Sequence, residues 1–261
     1  MKFKVGDFVT RSSYNNDIVF RIVSINNDVA DLYGLNVRLK ADALLSDLIL
    51  TSNTKTTDDE LESFDDFNLD RSEYFYIPGT ILHIDGDEDY LSRCMRFYNR
   101  MRVKANGVYI PESEMSSKIK ELIGKYHPDI LIITGHDALY KKKGYNSNSK
   151  YQNSSNFIDT VKEARKVEKN QDKLIIIAGA CQSNYEDLIK AGANFASSPK
   201  RINIHALDPA VIAVSLAFSD KSKSIDLLKL INKTKFGSEG IGGIITNGTM
   251  YVGYPRWCLI L

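Results

Sequence analysis

Two apolar segments of the sequence each end in a side chain that is typical of cysteine-dependent catalysis. Residues 131–137, LIITGHD, contain His136, and residues 174–183, LIIIAGACQS, contain Cys181. An imidazole can take the proton of a thiol, which then attacks a carbonyl carbon, and can later return that proton to the leaving group. The two residue types therefore indicate nucleophilic catalysis, with Cys181 as nucleophile and His136 as general base.

Each of these residues also has a structural interpretation. A single free cysteine is most often a small buried apolar residue, and a single histidine is often satisfied by the backbone. His205 is a rival general base, whereas His83 is better explained as a core residue and His127 as a helix-end residue. The pairing of a histidine and a cysteine at the ends of two similar segments is what favours catalysis.

The elements that must position this pair are predicted from the same segments. Short isoleucine-rich runs bounded by glycine are typical of buried parallel strands. In such sheets the chemistry gathers at the carboxyl ends of the strands, so His136 and Cys181 would meet at one edge. From Tyr74 onward predicted strands and helices alternate, which predicts an α/β domain with a mainly parallel sheet. Asn247-Gly248, between two β-rich runs, predicts an appended hairpin.

The first 50 residues have a different character. Short β-rich runs alternate there with Asn, Asp and Gly turn residues, which predicts a small SH3-like β-barrel. Residues 51–73 are polar and acidic, as in a linker. The expected organisation is a barrel at 1–50, a linker at 51–73 and an α/β domain at 74–261.

Composition excludes several classes of protein. The 261 residues carry a formal net charge of +1, which offers no electrostatic argument for nucleic acid or membrane partners, and no apolar run approaches the roughly 18 residues of a membrane span. The N-terminus lacks the apolar stretch of a signal peptide, so a cytoplasmic location is expected. Three cysteines do not make a disulfide framework, and no Cys/His spacing fits zinc. Neither a metal nor a cofactor is expected.

A group of carboxylates follows the predicted strand at 80–87. Residues 83–89, HIDGDED, resemble the start of a calcium loop, but Gly is missing at the sixth loop position. The same acids could hold Mg²⁺ in a phosphohydrolase, an alternative that would use Asp85 and Asp87. Asp85, at the strand end, is the better functional candidate, whereas Asp87 and Asp89 are explained as a solvated helix start.

The motifs around the pair resemble a known group of enzymes. G-A-C-Q-S at 179–183, with an upstream apolar run that ends in Gly-His, is similar to the caspase-like cysteine peptidases. Nearly the whole sequence resembles a narrower group, the YabG sporulation peptidase family of endospore-forming bacteria. The matching motifs are VGDFVTRxSY, PGxxLHxDGD, ITGHD, AGACQS, AGANFASSPKRxNIHALDP and GxxTxGTMxVGxP.

The resemblance implies a fold and an activity. The fold would be a caspase-like or flavodoxin-like three-layer sandwich with a mainly parallel sheet, preceded by the SH3-like barrel. The activity would be that of a cysteine endopeptidase that cleaves spore coat and cortex-associated proteins after Arg during sporulation. Such an enzyme would act in the mother cell cytoplasm and associate with the forming spore coat.

The resemblance also implies roles for individual residues. Cys181 would be the nucleophile and His136 the general base and acid. The backbone N–H groups of Cys181 and of the stretch Gly135–Asp137 would hold the oxyanion. An Arg at the cleavage site needs a buried carboxylate, preferably in a bidentate contact. Asp85 is the first candidate for this acid and Asp208 the second.

Two further possibilities concern binding to other proteins or to a second copy of the chain. A non-catalytic α/β scaffold or binding module in spore coat assembly would need none of this chemistry, because small barrels are common docking modules. The apolar C-terminal residues 257–261, WCLIL, predict burial, and an interface in a homo-oligomer is one place for it.

Overall fold

The computed structural model describes residues 3–52, 54, 72–140 and 151–256. The chain divides into two compact units, Met1–Asp65 and Asp66–Leu261. The linker predicted at 51–73 falls largely outside the described residues, and so does the apolar C-terminus at 257–261.

The N-terminal unit is a five-stranded antiparallel sheet. Its strands are β1 (Phe8–Arg11), β2 (Phe20–Asn26), β3 (Val29–Gly34), β4 (Lys40–Leu44) and β5 (Leu48–Leu50), in the order β4-β3-β2-β1-β5. Asn27 adopts the left-handed conformation (φ 56°) in the turn between β2 and β3, as the Asn-rich turns predicted. An all-β unit is confirmed, while its SH3-like character stays a prediction.

The C-terminal unit alternates strands and helices. Its strands are β6 (Phe75–Ile77), β7 (Ile81–Asp85), β8 (Ala105–Tyr109), β9 (Ile130–Thr134), β10 (Ile175–Ala178), β11 (Phe195–Ser197), β12 (Ile241–Gly243) and β13 (Tyr251–Gly253). Its helices are α1 (Glu88–Arg100), α2 (Met115–Tyr126), α3 (Ser154–Val167), α4 (Tyr185–Ala191), α5 (Asp208–Ala217), α6 (Leu227–Ile231) and α7 (Gly237–Gly240).

Six of these strands form the main sheet, in the order β12-β11-β10-β9-β7-β8. The strands β7 to β11 are parallel to one another, and β12 joins β11 as an antiparallel edge. A mixed α/β unit with a mainly parallel sheet is therefore confirmed. The finer caspase-like or flavodoxin-like assignment stays a prediction.

Helices cover both faces of this sheet. Alternate strand residues, among them Leu82, Ile133 and Ile176, pack with α2, α3 and α4 in one large apolar core. The intervening residues point to the opposite face, where α5 contacts β9, β10 and α1. Every residue of α5 is buried, which explains why its sequence is apolar nearly all round.

The predicted C-terminal hairpin is wrong. The strand β12 pairs with β11, whereas β13 pairs with β6 in a separate two-stranded sheet. Neither Asn247 nor Gly248 has the positive φ that a two-residue hairpin turn requires. A Cβ on Gly248 would instead lie 2.0 Å from the carbonyl oxygen of Ser219. The glycine therefore permits a close approach of two backbone segments.

Candidate functional site

His136 and Cys181 follow two adjacent parallel strands at the same edge of the sheet. The register pairs Ile133 of β9 with Ala178 of β10, so each candidate lies three residues beyond a paired residue. The sequence-based expectation that both segments end at one edge agrees with this arrangement. The loops that carry the two side chains are therefore neighbours.

Two hydrogen bonds join these loops directly. The Ser183 hydroxyl donates to Oδ2 of Asp137 at 2.8 Å, and the backbone N–H of Leu139 donates to Oε1 of Gln182 at 3.1 Å. One partner in each bond belongs to the histidine loop and the other to the cysteine loop. The two loops consequently form one connected hydrogen-bonded structure.

Asp137 is the anchor of the histidine loop. Its buried carboxylate accepts hydrogen bonds from the backbone N–H groups of Ala138 and Asn153 and from the hydroxyls of Ser154 and Ser183. Burial raises the pKa of this carboxyl group, while the hydrogen bonds act in the opposite direction. The Asp137 carboxylate thus ties the histidine loop to the start of α3. The oxyanion role predicted for Asp137 would therefore belong to its backbone N–H.

The His136 side chain is nearly completely buried, and several residues contact this histidine. Its Nε2 lies 2.8 Å from Oδ2 of Asp87, and its ring packs against the Tyr90 ring with centroids 5.7 Å apart. Its backbone N–H donates to Oε1 of Glu112 at 2.8 Å, and its carbonyl accepts from the Asn153 amide at 2.9 Å. These contacts leave the imidazole little freedom to reorient.

Glu112 reaches His136 through a slot between two glycines. A Cβ on Gly86 would lie 2.3 Å from the Glu112 carboxyl carbon, and a Cβ on Gly135 would lie 2.5 Å from Oε1. Any larger residue at either position would displace the carboxylate. The Gly-His dipeptide is therefore explained by close packing against Glu112.

The predicted oxyanion donors differ in their surroundings. The N–H of His136 is occupied by Glu112. Within the part of the chain that the structure describes, the N–H groups of Gly135 and Asp137 have no hydrogen-bond acceptor. These two groups are thus the ones in the loop that can bind a developing negative charge.

Cys181 lies in a tight turn and is fully buried. Gly179 and Gln182 both have positive φ, 103° and 57°, which reverses the chain sharply around the cysteine. The backbone N–H of Ile204 donates to the Cys181 sulfur at 3.3 Å, and such a donor stabilises a thiolate. The N–H of Gln182 donates to the Ile202 carbonyl at 3.0 Å. The cysteine loop thus packs against the segment 202–204.

The two candidate acids for an Arg pocket are both buried. Asp85 accepts from the Thr134 hydroxyl at 2.9 Å and from the Asp87 N–H at 3.0 Å. Asp208 accepts from the backbone N–H groups of His205 and Lys235. Asp85 is therefore next to the partner of His136, and Asp208 starts the helix that follows the segment packed on Cys181.

The remaining histidines have structural surroundings. His83 is buried in the sheet with Nδ1 2.8 Å from the Tyr98 hydroxyl. His127 ends α2 in the left-handed conformation (φ 44°). Nδ1 of His205, the rival base, accepts from the Leu207 N–H at 3.2 Å, so that nitrogen is already used by the backbone.

Asp87 and Glu112 belong to this site but were not predicted as members of it from the sequence. Asp87 is not a solvated helix start, because its side chain is buried against His136. The signal that could have indicated it is its place in the loop after β7, at the same sheet edge as His136. Glu112 carries no such signal, since it lies in a short 3₁₀ turn after the edge strand β8.

The described residues lack two features, a cluster of metal ligands and a membrane-spanning helix. They contain no group of three or more His, Cys, Asp or Glu side chains that could hold a metal ion. None of the described helices is long and apolar enough to cross a membrane.

The buried carboxyl of Asp208 leads to a prediction about stability. Burial raises the pKa of Asp208 to about 6, from 3.8, against the opposing effect of its two N–H donors. The folded state therefore binds this proton more tightly than the unfolded state, and the free energy of unfolding falls as pH rises through this range. Between pH 5 and pH 7 we expect a loss of about 1 kcal/mol from this group.

Urea unfolding of the protein and of Asp208→Asn at both pH values measures that contribution. The variant cannot titrate at this position, so its unfolding free energy should fall less between pH 5 and pH 7. Identical pH dependences in the two proteins would contradict a raised pKa for Asp208.

Comparison with known proteins gives two matches. The family model described as YabG peptidase U57 matches residues 4–69 and 61–255. The sporulation-specific protease YabG of Bacillus subtilis (strain 168) is 40% identical over 286 residues, covering 98% of this chain and 99% of that protein. The second stretch matched by the family model includes the β9 and β10 loops with His136 and Cys181.

Proposed function

The chain belongs to the YabG peptidase family, and from that membership we propose that it is a cysteine endopeptidase with Cys181 as nucleophile and His136 as general base and acid. A protease role follows from the family itself. The observation that supports the cysteine mechanism is the joined pair of loops after β9 and β10.

The proposed reaction has two stages. His136 takes the thiol proton, and the Cys181 sulfur forms a bond to the carbonyl carbon of the scissile peptide. The C–N bond then breaks, and the leaving amine receives the proton from the imidazolium. Water, deprotonated by His136, attacks the resulting thioester, which releases the acid product and restores the thiol.

The tetrahedral intermediates carry a negatively charged oxygen. We propose that the backbone N–H groups of Cys181 and of Gly135 or Asp137 donate to it, because the N–H of His136 is held by Glu112. Such donors contribute several kcal/mol to catalysis when they are fixed before the reaction. The anchoring of the loop by the Asp137 carboxylate would provide that rigidity.

The similar protein from Bacillus subtilis indicates the biological setting. Because that relative is a sporulation-specific protease, we propose that this chain acts during sporulation, on spore coat and cortex-associated proteins, in the mother cell and at the forming coat. No nucleic acid, membrane or cofactor is part of the proposal.

The alternative of a non-catalytic scaffold has one observation in its favour. Cys181 is fully buried, and a substrate carbonyl cannot reach a covered sulfur without movement of the residues around it. A scaffold needs no such movement.

One assay tests the proposed function against its alternatives. The purified protein is incubated with an Arg-containing protein substrate, alone, with iodoacetamide and with EDTA. Loss of cleavage with iodoacetamide supports the cysteine mechanism, and loss with EDTA only supports the metal-dependent alternative with Asp85 and Asp87. No turnover under any condition favours the scaffold.

Arg specificity leads to a further prediction. Asp85→Asn is expected to lower kcat/KM for cleavage after Arg by about 10²- to 10⁴-fold, because losing one partner of a buried charge pair costs roughly 3–5 kcal/mol. Alkylation of Cys181 by iodoacetamide, followed by mass spectrometry, should change little. The comparison uses matched peptides that differ only at the residue before the cleaved bond.

Asp208→Asn is the matched control for this experiment. If that variant loses Arg cleavage and Asp85→Asn does not, the pocket acid is Asp208. An equal loss on all peptides in Asp85→Asn would contradict a role in Arg recognition, because it is the result expected if Asp85 only holds Asp87 in place.

A further inference from the structure

The imidazole of His136 has a carboxylate partner that the two-residue mechanism does not use. Oδ2 of Asp87 lies 2.8 Å from Nε2 of His136, and both side chains are almost completely buried. A hydrogen bond of this length between a carboxylate and an imidazole requires the proton on Nε2. In the neutral ring, Nδ1 is then the unprotonated nitrogen, which can accept a proton.

From this geometry we propose that Asp87 is the positioning residue of His136, which holds the imidazole in the tautomer whose Nδ1 accepts the thiol proton. This inference rests on the proposed cysteine peptidase function. In that mechanism the carboxylate would also stabilise the imidazolium that forms when the thiol loses its proton.

Asp87 is itself held in place by the backbone. It is the N-cap of α1, and its Oδ1 accepts the Tyr90 N–H at 3.0 Å. Its own N–H donates to Oδ1 of Asp85 at 3.0 Å. One carboxylate oxygen is thus committed to the helix, which directs the other oxygen to His136.

A buried chain of hydrogen bonds fixes Asp85 in turn. The Thr134 hydroxyl donates to Oδ2 of Asp85 at 2.9 Å, so the Thr134 oxygen can only accept from Nε2 of His83 at 2.8 Å. In a neutral His83, Nδ1 then accepts from the Tyr98 hydroxyl at 2.8 Å. This chain holds the Asp85 carboxylate in place, and the bond from the Asp87 N–H extends that support to Asp87.

The other groups named above around His136 interact differently from Asp87. Glu112 contacts the backbone N–H and not the ring. The Tyr90 ring packs in a tilted orientation against the imidazole. The Asp137 carboxylate accepts hydrogen bonds from Asn153, Ser154 and Ser183. Among the described contacts, Asp87 is therefore the charged group that sets the tautomer.

The test separates the two roles of Asp87. Asp87→Asn keeps the N-cap, because an amide oxygen can accept the Tyr90 N–H as well as a carboxylate does. The amide NH₂ then faces Nε2 and places the proton on Nδ1, where it blocks the acceptance of the thiol proton. We expect kcat to fall by up to about 10⁴-fold with KM little changed, the value known for the same exchange in serine peptidases.

Two further variants serve as controls. Asp87→Ser also caps the helix but cannot reach His136, so kcat should fall by about 10- to 100-fold with similar thermal stability. Glu88→Gln removes a negative charge from the exposed side of the same helical turn and should leave kcat unchanged.

A second measurement does not depend on activity. In ¹⁵N-histidine-labelled Cys181→Ala protein, NMR should find the proton of His136 on Nε2, and adding Asp87→Asn should move it to Nδ1. An unchanged tautomer, or a kcat within twofold of wild type in Asp87→Asn, would overturn the inference. Activity that survives in Cys181→Ala would instead overturn the proposed function, so the two failures are distinguishable.

Discussion

Cys181→Ala is expected to lower the rate of peptide cleavage by roughly 10⁴- to 10⁶-fold, the scale seen when the nucleophile of a peptidase is removed. The substitution deletes one sulfur atom and leaves the Ile204 N–H without its acceptor. The expected cost in the free energy of unfolding is about 1–2 kcal/mol, which the fold should tolerate. Cleavage kinetics and urea unfolding of the same preparation measure both effects.

Cys94→Ala is the matched control for this prediction. Cys94 is also fully buried and its thiol donates to the Ala206 carbonyl at 3.6 Å, so the same chemical change should cost similar stability without loss of activity. Cys258, outside the described residues, should also be replaceable by Ala. More than trace activity in Cys181→Ala would show that the nucleophile is another residue.

His136→Ala is expected to lose activity to a similar degree. Without the imidazole the thiol has no general base, and the leaving amine has no proton donor. The double variant with Cys181→Ala should be little worse than either single variant, because residues that act as one unit show non-additive effects. Kinetics of the two single variants and the double variant form the measurement.

Two other histidines make this result specific. His127→Asn replaces an exposed histidine with a residue that tolerates its left-handed backbone and should retain activity. His205→Ala tests the rival base. Full activity in His136→Ala together with loss in His205→Ala would assign the general base to His205.

The geometry gives the histidine loop more than one function. It carries the proposed base, the N–H groups of Gly135 and Asp137, which have no acceptor among the described residues, and a carboxylate that binds Ser183 of the cysteine loop. A substitution of Asp137 would therefore disturb the base, the oxyanion donors and the link between the loops together. Substitutions of Asp87 or Cys181 are the sharper probes of mechanism.

Much of the α/β unit could be predicted because its signals are local. An isoleucine-rich run bounded by glycine specifies a buried strand through its own composition, and β9 and β10 lie where such runs occur. The placement of His136 and Cys181 at one edge follows from the rule for parallel sheets. The all-β character of the first 50 residues could also be predicted, because short β-rich runs alternate there with turn residues.

The hairpin prediction was wrong because contacts between residues distant in the sequence determine this part of the fold. Asn247-Gly248 has the composition of a hairpin turn, but the pairing of β12 and β13 with different partners decided its conformation. The glycine is needed for the approach of the Ser219 backbone, which no local pattern reveals. Strand pairing is a tertiary property, so local turn propensity yields to it.

The sequence by itself thus determined which residue types follow the two central strands, a histidine and a cysteine, and these are the residues on which the proposed chemistry rests. Only the tertiary structure decided which carboxylate meets that imidazole. Asp85 and Asp87 are two residues apart and chemically identical, yet Asp85 points into the buried network and Asp87 reaches His136 across 49 positions of sequence. The reason is that β7 and β9 are adjacent in the sheet, so the turn after β7 directs its second acid toward the histidine loop.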